Sequence, residues 1–194
     1  MRRHACGLLV VLALGLSGAR VTGQERGPLQ FTPPGPGQPP DIAFYGTFTI
    51  DMPATVAARQ GQPLALQTLN VSDSFTWIFT PERDGLRMAV YASYPAPQPD
   101  RSYFARLDGQ PYPDPHGAGR GLGPCVGDCQ EFVRLMALDR YTIARQVTTK
   151  GKWTERVMYA LSADGGTLVV ITASPADPAR ATRMMIFRRR DGAK

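Results

Sequence analysis

The stretch LDRYTIARQVTTKGKWTERVMYALSADGGTLVVITA (138–173) decides the fold. It contains the runs YTIARQV (141–147), WTERVMYAL (153–161) and TLVVITA (167–173), rich in β-branched and aromatic residues and separated by turn residues. That pattern reads as consecutive β-hairpins. Asp164-Gly165 suits a two-residue turn, which pairs Leu161 with Leu168, Tyr159 with Val170 and Val157 with Thr172. At TTKGK a two-residue loop, Lys150-Gly151, would set Arg145 against Arg156, and like charges face to face are unfavourable. A three-residue loop, Thr149 to Gly151, puts glycine at the left-handed bulge position. It pairs Tyr141 with Tyr159, Ile143 with Val157, Arg145 with Glu155 and Val147 with Trp153, and is the preferred reading. One apolar face then crosses three strands: Tyr141, Ile143 and Val147; Val157, Tyr159 and Leu161; Leu168 and Val170.

The same signals recur along the chain. Strands are predicted at 43–50, 74–80, 86–92, 102–107, 131–138, 141–147, 153–161, 167–173 and 183–189, about nine in all. Helical periodicity is confined to PATVAARQ (53–60). A turn at Asp84-Gly85 pairs Phe79 with Val90 and Trp77 with Ala92. Strands this numerous and closely spaced predict an all-β antiparallel up-and-down meander, closed as a barrel or folded as a sandwich.

Arg145 and Glu155 interrupt the apolar face near one end. A tight turn at Asp139-Arg140 would bring Arg134 opposite Arg145. Two readings are open: a rim of solvated charges where strands leave the barrel, or an anionic head group held by Arg134 and Arg145. In the second, an apolar tail lies inside, against Trp77, Tyr141 and Tyr159.

The start, MRRHACGLLVVLALGLSGARVTGQ, has two arginines, an apolar run of about a dozen residues and then small residues. It reads as a signal peptide over 1–23, which predicts export to the periplasm or beyond. The run falls short of the roughly 20 residues a spanning helix needs. Residues 24–43 form a lead-in rich in proline and glycine, leaving one domain over 44–192. The whole chain carries 22 basic and 16 acidic residues. Without the leader's Arg2, Arg3 and Arg20 it keeps 19 basic residues, a net +3 that makes no case for nucleic acid. Lysines are confined to Lys150, Lys152 and Lys194, a bias that fits a GC-rich bacterial genome.

Cys125 and Cys129, in GPCVGDCQ (123–130), are the cysteines that remain after the leader. An oxidising compartment favours a local disulfide between them. Free thiols, or a metal shared with His116 and Asp114 or Asp128, are the alternatives. A redox pair normally has two intervening residues rather than three. No nucleophile elbow, phosphate loop, paired-histidine zinc motif or dinucleotide fingerprint is visible, so no catalytic residue, metal or cofactor is assigned.

The stretch YFARLDGQPYPD (103–114), the region 138–170 and MMIFRRRDG (184–192) resemble a widespread group of uncharacterised exported bacterial proteins with a lipocalin-like barrel. Asp108, Gly109, Tyr112 and Pro113 match its DG-x-x-Y-P motif; Asp139, Thr142 and Ile143 match D-x-x-T-I. Lys150 to Lys152 and Ser162 to Thr167 match its hairpins, while Phe48 stands where the family has tryptophan. The resemblance implies the barrel, and ligand binding only by analogy. Three functions are carried forward: binding of a small amphipathic or anionic ligand, an envelope interaction module with a filled core, and an enzyme of unrecognised type using carboxylates such as Glu155.

Overall fold

Alternating inward and outward side chains build one antiparallel sheet in the computed structural model, which describes residues 35, 37–60, 71–113, 131–174 and 177–190. Its strands are β1 (Gly46–Ile50), β2 (Thr76–Glu82), β3 (Gly85–Tyr91), β4 (Arg101–Ala105), β5 (Tyr112–Pro113), β6 (Glu131–Asp139), β7 (Thr142–Thr149), β8 (Lys152–Leu161), β9 (Thr167–Ser174) and β10 (Asp177–Arg189). The order is β4-β3-β2-β1-β10-β9-β8-β7-β6-β5, a meander whose last long strand returns beside the first. All nine predicted strands are present. The tenth, β5, is too short and too proline-bound to show as a pattern. The predicted helix is α1 (Met52–Arg59), capped by Asp51, whose carboxylate accepts from the Ala54 N–H at 2.9 Å. Thr55 ties α1 to the side of β10 just past the end of β1, by bonding both the N–H and the carbonyl of Ile186. No helix among the described residues is long and apolar enough to cross a membrane.

The two ends of the sheet meet between β4 and β5–β6, so the barrel is nearly closed. The segment Asp108 to Pro113 lies along this seam. Gly109, with φ of 73°, donates to the Leu135 carbonyl at 2.8 Å. Asp108 bridges to Met136 and accepts the Tyr112 hydroxyl at 2.8 Å. Tyr112 pairs with Val133 on β6 and meets Phe104 of β4 edge to face.

Three turns differ from expectation. Lys150-Gly151 is a two-residue turn with both φ positive, and an extra residue, Thr154, bulges from β8. The bulge shifts Arg145 opposite Val157 and Gln146 opposite Arg156, which removes the like-charge pair that argued against this turn. The β2–β3 turn is centred on Arg83-Asp84, so Trp77 faces Val90 and Phe79 faces Met88. Gly85 lies in β3 for a different reason: an added Cβ would sit 2.6 Å from the Phe104 ring and 2.7 Å from the Ala105 carbonyl. The β6–β7 turn is Arg140-Tyr141 with a bulge at Leu138, so Leu135, not Arg134, faces Arg145. The β8–β9 register is as predicted, although the turn bonds Gly165 N–H to Ser162 O with Gly165 left-handed.

One end of the interior is packed solid. Ile42 and Phe44 cross it, with the Ala43 N–H bonded to the Arg140 carbonyl at 3.0 Å. Arg189 holds this segment: its guanidinium donates to the carbonyls of Gly165, Tyr45 and Ala43 and lies 4.6 Å from the Phe48 ring centre. Its neighbours point outward, Arg188 to Asp51 and Arg190 toward Tyr94. Below the plug, Phe48, Phe79, Trp77, Tyr159 and Phe187 interlock with centroid separations of 5.3–6.2 Å.

Gly85→Ala will lower stability by about 2 kcal/mol through overpacking against Phe104 and Ala105. Arg83→Gly, relieving a left-handed φ of 50°, will raise it by about 0.5 kcal/mol. Urea unfolding of both variants checks the pair; equal effects would mean that Gly85 is the turn residue after all.

Candidate functional site

The end opposite the plug is polar. A small cavity of about 180 Å³ opens there, with Trp77 and Phe75 at its base and Arg101, Arg145, Arg183 and Thr172 on its walls. These residues come from β2, β4, β7, β9 and β10 or the approach to them, so only closure of the sheet brings them together.

Arg145 is 5% exposed yet charged, and it donates to Glu155 at 3.0 Å. This bond is diagonal, because the β8 bulge leaves Val157 as the direct partner and Val147 opposite Glu155. Arg101 donates to Glu131 at 2.7 Å, and Glu131 is 2% exposed. Tyr103 takes both guanidiniums against its ring, Arg145 at 5.5 Å and Arg101 at 5.9 Å. The Tyr103 hydroxyl donates to the Met88 sulfur at 2.9 Å, and the Tyr159 hydroxyl reaches the same sulfur at 3.9 Å. Trp77, 8% exposed, packs on Tyr159 at 5.3 Å. Its indole N–H is buried without a hydrogen-bond partner among the described residues.

Of the residues read from sequence, Arg145, Glu155, Trp77 and Tyr159 do converge. Arg134 does not: it faces outward and is exposed. Tyr141 does not either. It sits in the β6–β7 turn at the plugged end, four residues along from Arg145 and so roughly 13 Å away. Arg101, Tyr103, Glu131 and Arg183 were missed. Arg101 and Tyr103 on β4 meet Glu131 on β6 only across the seam, and Arg183 reaches the cavity from β10, so no local pattern reports them. Cys125, Cys129 and His116 lie outside the described residues.

The site is rich in donors, and its buried phenol Tyr159 resists ionisation. Burial pushes the Tyr159 hydroxyl well above the ordinary tyrosine value, and the neighbouring Tyr103 adds to this. Tyr45, at the plugged end, is pushed up to about 12 by burial and then by Asp41. A raised phenol gives stability that is complete below the unfolded value near 10 and is lost as pH rises through the folded value.

No family model matches the chain, and no curated protein sequence matches it.

Wild-type protein should lose about 1.4 kcal/mol per pH unit above pH 10 for Tyr159 alone. Tyr159→Phe should be close to wild type at pH 8 and lose distinctly less at pH 11. Urea midpoints at the two pH values test this, and parallel losses in both proteins would show that Tyr159 ionises without cost.

Proposed function

We propose that this chain is an exported barrel that binds a small anionic ligand at its arginine-lined mouth. The observation that carries the reading is the indole N–H of Trp77, buried beside the cavity with no acceptor among the described residues. An unmet buried donor costs about 1–3 kcal/mol, so a ligand acceptor there would recover that loss. Arg145 and Arg183 supply positive charge at the same cavity, and Phe75 and Trp77 supply a flat apolar wall. The leader-like start and the family resemblance support export.

The cavity limits ligand size. At about 180 Å³ it is below the roughly 300–1,000 Å³ of pockets for drug-sized ligands. Phe44, Phe48, Phe79 and Phe187 occupy the rest of the interior, which leaves no room for a long acyl chain. The reading therefore narrows to a compact carboxylate of about ten non-hydrogen atoms, such as an aromatic acid.

Benzoate titrated into the purified protein, followed by calorimetry, tests it. Trp77→Phe should weaken binding about tenfold, the worth of one hydrogen bond to a charged acceptor. Arg145→Gln should weaken it at least as much; Glu155 is partly exposed and can then be solvated. Circular dichroism checks that both variants fold. If benzoate, acetate and phosphate all fail to bind, and native mass spectrometry finds no retained molecule, the anion-binding reading is wrong.

A further inference from the structure

Arg134, expected inside, belongs to a second surface, independent of the mouth. Outward-facing residues in register form an apolar row across five strands: Met136, Ala144, Met158, Ile171 and Met184. Beside it on one side run Thr142, Ala160, Val169 and Ile186, and Leu138 is 46% exposed nearby. On the other side run Arg134, Gln146, Arg156 and Ala173. Ala144, short between Met136 and Met158, and Ala173, short beside Arg156, help make a groove of about 450 Å³ over β6 to β9. Met136 is 48% exposed, a large apolar residue left to solvent.

Shape and charge identify the occupant. The groove crosses four adjacent strands, about 14 Å, the length of about 10 residues of α-helix. Arg134 and Arg156 are two strands apart, about 10 Å, along one long side of the row. Seven residues of helix rise about 10.5 Å, so acidic groups two turns apart on one flank would meet both arginines. A single-headed amphiphile could satisfy only one of them. Among the described residues neither arginine lies within ion-pairing distance of a carboxylate. Arg156 is held over the Trp153 ring at 4.3 Å. Methionines adapt their shape to a docked apolar side chain.

We infer that the Met136–Met184 row is a docking groove for an amphipathic helix of a protein partner, one that carries two acidic residues seven positions apart beside its apolar stripe.

The test uses a fluorescently labelled synthetic helix of about 16 residues with a leucine stripe and two glutamates seven apart, plus a version with both glutamates changed to lysine. Anisotropy with the purified protein should show the acidic peptide binding at least tenfold more tightly than the basic one. The double variant Arg134→Glu/Arg156→Glu should reverse that preference, and Met158→Asp should abolish binding of both. These side chains face solvent, so thermal melts should stay close to wild type. Equal binding of both peptides, or of neither, overturns the proposal. So does binding to phosphatidylglycerol vesicles without peptide binding, which would make the row a membrane surface. Self-association lost in Met158→Asp, read by sedimentation, would assign the groove to a second copy and also overturn it.

Discussion

The Arg101–Glu131 ion pair stands where the two ends of the sheet meet, and the mouth of the barrel depends on it. Glu131 is almost fully buried, so its charge is tolerable only with a partner in place. That partner comes from β4, and its own ring neighbour, Tyr103, also receives Arg145 from β7. One pair thus joins the seam and stands beside the aromatic wall of the cavity. Unpaired edges at the seam would otherwise expose backbone groups to other chains. The Tyr112 segment covers part of that edge on β6.

The interior is divided along its axis. At one end the Ile42–Phe44 segment and the aromatic cluster leave no usable space, and Arg189 ties that segment to three carbonyls. At the other end, charges and tyrosines replace hydrocarbon, and a small cavity remains. Packing at the first end gives stability, while the polar residues at the second are costly to bury and so must be paired.

The outer surface follows a separate logic. Across β6 to β9 the sheet's outer apolar residues have no covering element among the described residues, and arginines flank them. Arg134 and Arg145, expected to act together, serve opposite faces because the bulge at Leu138 slips the β6–β7 pairing by one residue.

Which residues face inward was legible in the sequence. Ile143, Arg145, Val147, Val157, Tyr159, Leu161, Leu168 and Val170 all alternate with period two, and all are buried. Two turns were misplaced, yet the errors in register there amount to two residues, which preserves the face of every side chain. Arg134 shows the opposite case, where a one-residue slip exchanges inside for outside. Bulges at Leu138 and Thr154 and the close approach of Phe104 to Gly85 are answers to packing, not to local preference. The meeting of Arg101, Glu131 and Tyr103 with Arg145 was likewise decided only by closure. The sequence by itself determined the strands and their buried faces, because both follow from neighbours one or two residues apart. Tertiary structure decided the register, the seam and the site, because those rest on contacts between residues far apart in the chain.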